Sequence, residues 1–148
     1  MKFIFVIAVS LTFSFTAFAQ IKWETDLDSA LHHSQTSGKP IFVLFGAYWC
    51  APCRIFESRI LTDKRIIAFL NKNFITLEIR EELDDRTKHK AEFLRKEKLR
   101  EEIFKVQAFP SICIQKKNKN PILIEIPHDD NSSDYSAEKL MQILKSYL

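Results

Sequence analysis

The most constraining feature of this chain is an apolar run that leads directly into two cysteines, KPIFVLFGAYWCAPCR. The run Ile41 to Ala47 is continuous and rich in β-branched and aromatic residues, which indicates a strand buried on both faces of a partly parallel sheet. Pro52 suits the first turn of a helix because its missing N–H costs nothing there. The pattern predicts a central strand followed by a helix that begins at Cys50.

Helical and strand patterns alternate on both sides of this stretch. We expect a first helix from Asp26 to Thr36, capped by Thr25 or Asp26 and stopped at Gly38. Two helical segments are predicted behind the cysteines, and alternating apolar residues predict a strand over Phe74 to Arg80.

The C-terminal part predicts a hairpin and a last helix. Two short apolar segments, PSICIQ and PILIEIP, are separated by the turn-rich KKNKNP. The last helix is expected to bury one side, formed by Ala137, Leu140, Met141, Leu144 and Leu148. The element order predicts an α/β fold in which a central mixed β-sheet is flanked by helices on both faces.

A charged segment lies between the second strand and the hairpin. Residues 80–102 hold eight acidic and eight basic side chains, so their charges nearly cancel. Leu99, Ile103 and Val106 form an apolar stripe, which predicts a solvated helix packed on one side. A partner-docking face is the alternative interpretation of the segment from Glu81 to Glu102.

Composition excludes two classes of function. The 148 residues contain only two glycines, which argues against a glycine-rich nucleotide-binding loop. The net charge is +3 with basic and acidic residues interleaved, so the basic stripe of a nucleic-acid binder is missing. We expect one domain, no cofactor and no nucleic-acid partner.

The first nineteen residues resemble a secretory signal. A lysine precedes an apolar stretch that ends in Ala17-Phe18-Ala19, a small-residue cleavage pattern. A retained membrane anchor is the alternative, but the apolar stretch is shorter than the roughly 20 residues of a spanning helix. We therefore predict a signal peptide over 1–19, a mature domain over 20–148, and a periplasmic or secreted protein.

The chemistry of the two cysteines follows from their position. A thiol at a helix N-terminus meets unpaired N–H groups and the positive end of the dipole, which lower its pKa. Cys50 is therefore the candidate nucleophile, and Cys53, about one turn on, can displace a substrate from Cys50.

Metal binding and a structural disulfide are the competing interpretations. A zinc site would need Cys113 and a histidine from His32, His33, His89 or His128 to complete it. Two thiolates alone can hold Cu(I). An inert disulfide is disfavoured because closing so short a loop contributes little stability. We predict no metal site.

FGAYWCAPCR resembles the active-site segment of the thioredoxin superfamily, in which a buried strand runs into WCxxC and a helix. Residues 39–79 are similar in order and spacing to exported thioredoxin-like domains related to the C-terminal domain of the transmembrane thiol reductase DsbD. FKVQAFPSICI resembles the family's second landmark, a loop with a cis-proline beside the dithiol.

The resemblance implies roles for five residues. Cys50 would be the nucleophile and Cys53 the resolving thiol, forming a redox-active disulfide. Trp49 would flank the active-site surface, Pro110 would be the cis-proline, and Phe109 would offer backbone groups to an extended substrate.

The sequence departs from the family pattern at one important position. Many thioredoxins place a buried acid six residues before the first cysteine, where it assists proton transfer from the resolving thiol; here this position is Leu44. Another group, such as Glu78 on the neighbouring strand, or water would have to assist Cys53. Cys113 lies in a predicted strand, where buried cysteine behaves as a small apolar residue.

These observations predict a thioredoxin-like thiol:disulfide oxidoreductase, more a reductase than an oxidant. Its substrates would be protein thiols and disulfides, the resemblance implies a membrane-embedded electron donor of the DsbD type, and we expect a monomer. The alternative is a Cu(I)-binding or redox-silent adaptor protein of the same fold.

Overall fold

A computed structural model describes residues 20–83, 86–126 and 135–148 of the chain. The predicted signal peptide and His128 lie outside these described residues. No helix within the described ranges has the length and apolar character needed to cross a membrane.

The described residues form ten helices and strands, two of the helices continued by a π-helical turn. In chain order they are β1 (Trp23–Glu24), α1 (Leu27–Ser37), β2 (Ile41–Ala47), α2 (Ala51–Phe56) with its π turn (Glu57–Leu61), α3 (Lys64–Asn73), β3 (Ile75–Glu81), α4 (Lys90–Lys98) with its π turn (Leu99–Ile103), β4 (Ser111–Gln115), β5 (Ile122–Ile124) and α5 (Ala137–Lys145).

The five strands form one mixed sheet in the order β1-β3-β2-β4-β5. β3 pairs in parallel with β1 and β2, whereas β4 is antiparallel to both β2 and β5. Every residue of β2 is buried, as its continuous apolar run predicted. The predicted mixed α/β fold is confirmed, and the strand that carries the cysteines at its end occupies the middle of the sheet.

Apolar cores on both faces of the sheet hold the helices. One core joins Phe42 and Leu44 of β2 to residues of α2, α3 and α5, such as Phe56. The other joins Val43 and Phe45 to α1 and to the chain after α4. Side chains of successive strand residues point to opposite faces, so β2 supplies both cores.

Helix α1 agrees closely with its sequence signals. The Asp26 carboxylate accepts a hydrogen bond from the Ser29 N–H at 2.9 Å, as an N-cap does. Gly38 ends the helix with φ +74°, and its N–H donates to the Ser34 carbonyl. The predicted and observed ranges differ by one residue at each end.

One strand was missed, and two expectations about packing were wrong. Strand β1 has only two residues, too few to show a periodicity, and was missed. Ile103 is exposed because the π turn replaces the usual helical spacing: the Phe104 N–H donates to the Leu99 carbonyl five residues back, and Phe104 takes the buried position. Leu148 lies beyond the end of α5 and is exposed.

Candidate active site

Cys50 lies at the junction between β2 and α2, as predicted. It is the N-cap of α2, and its Sγ accepts a hydrogen bond from the Cys53 N–H at 3.1 Å. Pro52 occupies the first turn of the helix, where the absence of an N–H leaves no hydrogen bond unmade. A sulfur at this position receives a donor whose hydrogen bond stabilises the thiolate once the disulfide is reduced.

Cys50 and Cys53 form a disulfide, with their Cα atoms 5.3 Å apart. Both residues are almost fully buried and pack with Ala47 and the partly buried Phe109. Two neighbouring residues in the chain have exposed side chains: Trp49 is 54% exposed and Ile55 is 46% exposed. The disulfide therefore lies just beneath an apolar surface.

The loop before β4 completes this surface. The Phe109–Pro110 peptide bond is cis, as the resemblance to the thioredoxin superfamily implied. Ser111, the first residue of β4, lies opposite Phe45 in the antiparallel pairing with β2, which brings the loop beside the end of β2 and the disulfide. The structure therefore brings together all five predicted site residues, Trp49, Cys50, Cys53, Phe109 and Pro110.

Aromatic and cationic contacts hold the loop in place. The rings of Trp49 and Phe109 pack with centroids 5.7 Å apart. On another side, the guanidinium of Arg100 lies 5.6 Å from the Phe109 ring centroid and donates to the Val106 carbonyl at 3.1 Å. The charged segment thus contacts the site through Arg100. Sequence analysis missed this contact because Lys105, with φ +57°, bends the chain between Arg100 and Phe109.

Leu44 is buried where many thioredoxins have an acid. It is 1% exposed within the apolar core, and its register partner on β3 is Glu78. The Glu78 carboxylate accepts a hydrogen bond from Arg80 Nε at 3.0 Å and forms an ion pair with Arg80 Nη2 at 2.9 Å. Glu57, from the π turn after α2, also binds Arg80 Nη2. Glu57 and Arg80 were not singled out in the sequence.

Cys113 is separated from the disulfide. It is fully buried in β4, in the core on the α1 side of the sheet, and its Sγ lies 4.0 Å from the Phe104 carbonyl oxygen. Burial raises the pKa of the Cys113 thiol to about 12. Within the described ranges, no three His, Cys, Asp or Glu side chains gather in a way that could hold a metal ion.

Comparisons with known proteins agree with this geometry. A family model described as thioredoxin-like matches residues 22–117. The chain is 39% identical over 44 residues to thiol:disulfide interchange protein DsbD 1 of Pseudomonas aeruginosa, a match that covers 30% of this chain and only 7% of that protein.

Two solved structures share the fold at low sequence identity. DsbH oxidoreductase superposes with a TM-score of 0.67 at 19% identity, covering 86% of this chain and 85% of that one. A thioredoxin from Thermus thermophilus superposes with a TM-score of 0.55 at 17% identity, covering 88% of each chain. Because the family model spans well over half of the sequence, this chain belongs to the thioredoxin-like family, with a thioredoxin-like fold and a Cys50–Cys53 disulfide at the start of α2.

Proposed function

We propose that the protein is an exported thiol:disulfide oxidoreductase that reduces protein disulfides through Cys50 and Cys53. The observation that carries the proposal is the position of Cys50 Sγ, which caps α2, accepts the Cys53 N–H and is bonded to the Cys53 sulfur. A thiolate formed there has a stabilising donor and a second thiol within bonding distance.

Reduction of a substrate would take two exchange steps. The Cys50 thiolate attacks one sulfur of the substrate disulfide, which forms a mixed disulfide and releases the other substrate sulfur as a thiolate. Cys53 then loses its proton and attacks the Cys50 sulfur, which forms the Cys50–Cys53 disulfide and releases the second substrate thiolate. Two electrons pass from the protein dithiol to the substrate, and the released thiolates take up protons from water.

The substrate would bind over Trp49, Phe109 and Pro110. Trp49 offers an exposed apolar ring, and Phe109 packs against the cysteines and precedes the cis bond. An extended peptide lying along the loop would bring its disulfide to Cys50, the end of the pair nearer the exposed Trp49.

The sequence supports the proposed direction of exchange, the proposed compartment and the proposed electron donor. Pro52 between the cysteines favours a reducing dithiol, and residues 1–19 have the pattern of a signal peptide. The stretch of 44 residues similar to an interchange protein supports a membrane-embedded donor of the DsbD type. The proposal places the mature domain, 20–148, in the periplasm or outside the cell as a monomer.

Two measurements on the mature protein test the activity. We expect the dithiol to reduce insulin in the presence of dithiothreitol and to have a reduction potential near the about −270 mV of thioredoxin; a value near the about −120 mV of DsbA would instead indicate an oxidant. Cys53→Ser should trap substrates on Cys50 as mixed disulfides, and Cys50→Ser, the matched control, should trap none. Absence of insulin reduction together with tight Cu(I) binding through both thiols would support the copper-binding alternative.

The compartment is tested separately. Fractionation of cells that express the full chain should place the protein outside the cytoplasm, and N-terminal sequencing of the product should begin at Gln20. A product that starts at Met1 and stays in the cytoplasm would contradict the proposed export.

A further inference from the structure

Gly46 leaves a gap between Cys53 and a cation on the neighbouring strand. A Cβ placed on Gly46 would lie 3.8 Å from Cys53 Sγ and 4.0 Å from both Cζ and Nη2 of Arg80. Gly46 and Arg80 are register partners in the parallel pairing of β2 with β3. The sulfur and the guanidinium therefore border the same small volume, with no side chain of position 46 between them.

Two carboxylates hold the guanidinium at this place. Glu57 reaches it from the π turn, one helical turn after Cys53, and Glu78 reaches it from two residues earlier on β3. The Arg80 side chain is 22% exposed. Burial alone would lower the pKa of Arg80, but the carboxylates of Glu78 and Glu57 raise it above its ordinary value, so the guanidinium is charged at every pH at which the protein works.

The carboxylates that face the Arg80 guanidinium come from the helix side and from the strand side. They are Glu57 from the π turn, Glu78 from β3, and Glu82 directly after β3, whose Oε1 lies 4.0 Å from Arg80 Nε. The residues that pack against Cys53 are uncharged: β2 supplies Ala47, and the loop supplies Phe109. Of the three atoms nearest to a Cβ built on Gly46, one is the Cys53 sulfur and two belong to the Arg80 guanidinium.

The position of this cation matters for the second exchange step. Cys53 must lose its proton before it attacks the Cys50 sulfur, and Leu44 supplies no carboxylate to accept it. A positive charge near a thiol favours the thiolate, and the effect is larger in a partly buried setting than in water. A thiolate favoured in this way forms by loss of the proton to water, without a buried acid.

We propose that Arg80 is a positioning residue that stabilises the Cys53 thiolate during resolution of the mixed disulfide. Glu57 and Glu78 hold its guanidinium in place, and Gly46 has no side chain that would fill the space between the guanidinium and the sulfur. In this step the Cys53 proton passes to water, the Cys53 sulfur bonds to the Cys50 sulfur, and the bond to the substrate sulfur breaks. The inference rests on the proposed function, because it concerns the second step of that reaction.

The first test measures the Cys53 thiolate directly. In a protein with Cys50→Ala and Cys113→Ala, Cys53 is the remaining thiol, and its pKa follows from the pH dependence of thiolate absorbance or of alkylation rate. Arg80→Gln should raise this pKa by about one unit or more, whereas Arg80→Lys should recover part of the shift because it keeps a cation. Glu78→Gln should shift the pKa in the opposite direction, since it removes a negative charge and leaves Glu57 to hold Arg80.

The matched control is Arg65, an arginine that is also held between two carboxylates. It binds Asp63 at 2.6 Å and Glu138 at 2.5 Å, and it belongs to α3 rather than to the site. Arg65→Gln should leave the Cys53 pKa unchanged. An unchanged Cys53 pKa in folded Arg80→Gln would overturn the proposal, as would a rise of the pKa in Glu78→Gln; if Arg80→Gln does not fold, the Glu78→Gln result decides.

The second test follows the resolving step. With Cys50 preloaded as a mixed disulfide with a peptide, release of the peptide thiol should be roughly tenfold slower in Arg80→Gln near pH 7, and the difference should shrink at alkaline pH. The attack of Cys50 on the substrate should be unchanged. If the wild-type domain reduces no insulin, the proposed function fails while the Cys53 titration still decides the role of Arg80, so the two failures are distinguishable.

Discussion

The ring of Trp49 packs against the ring of Phe109, with the ring planes at 60° and the centroids 5.7 Å apart. This contact joins the segment in front of Cys50 to the loop that contains the cis bond before Pro110. Arg100 packs on the same phenylalanine ring from the charged segment. Three separate parts of the chain therefore meet at Phe109, which in turn packs against the disulfide.

We predict that Phe109→Ala weakens substrate use more than it weakens the fold. The substitution removes the ring that Trp49 and Arg100 contact, and an aromatic pair of this kind contributes about 0.5 to 1.5 kcal/mol beyond its buried area. We expect kcat/KM for insulin reduction to fall up to about tenfold, mainly through KM.

Phe93 provides the control for this substitution. Its ring also lies beside an arginine, with Arg86 Cζ 5.2 Å from the centroid, but it belongs to α4 and does not touch the cysteines. Phe93→Ala should leave insulin reduction unchanged. Equal losses in the two variants would show that the ring acts through general stability instead of substrate binding.

A second prediction concerns the apolar residue at the position where many thioredoxins carry an acid. Leu44 is 1% exposed in the core, so Leu44→Asp should lower the free energy of unfolding by at least about 3 kcal/mol at pH 8. Burial raises the pKa of the introduced carboxyl above its unfolded value of about 3.9. The loss of stability should therefore be smallest below about pH 4 and grow as the pH rises through the folded-state pKa.

Leu44→Asn separates this pH effect from the loss of packing. The asparagine side chain is similar in size to that of aspartate but does not titrate. The loss of stability in Leu44→Asn should therefore not depend on pH between pH 4 and pH 8. Chemical denaturation of both variants between pH 4 and pH 8 makes the comparison. Parallel pH curves would mean that the carboxyl at position 44 is not desolvated, contrary to the packing of the core.

Much of the fold follows from local signals in the sequence. The run Ile41 to Ala47 is apolar at every position, and each residue is buried in the observed β2. The signals for Cys50 as a helix start and for Gly38 as a helix stop are equally local, and both are confirmed.

The features that sequence analysis missed depend on contacts between distant residues. Strand β1 has two residues and exists because β3 offers an edge to pair with. The placement of Arg80 and Cys53 on either side of Gly46 depends on the register that sets Arg80 opposite Gly46, which no spacing within one segment reveals. The π turn that buries Phe104 instead of Ile103 likewise has no periodic signature in the sequence.

Gly38 gives a third prediction, which separates backbone conformation from packing. Its φ of +74° is left-handed, and a Cβ at this position would meet no atom within 4 Å. Gly38→Ala should therefore destabilise the protein by about 1 kcal/mol through backbone strain alone, while insulin reduction stays at the wild-type level. Thermal unfolding measures the loss, and Gly38→Asn should lose less because asparagine tolerates this conformation. An alanine variant as stable as the wild type would contradict a left-handed residue at the end of α1.

The last prediction concerns Cys113 and the dependence of stability on alkaline pH. Burial raises the pKa of its thiol from 9.0 to about 12, so between these values the unfolded chain ionises and the folded chain does not. The unfolded state then binds fewer protons than the folded state, and the free energy of unfolding falls as the pH rises above about 9. Cys113→Ala should remove this part of the decline, which chemical denaturation at pH 8 and pH 10.5 would show as a smaller difference than in the wild type.

In the reduced native protein a thiol reagent should modify Cys50 first, and Cys113 should react only after unfolding because it is fully buried. Rapid modification of Cys113 in the folded protein would contradict its place in the core.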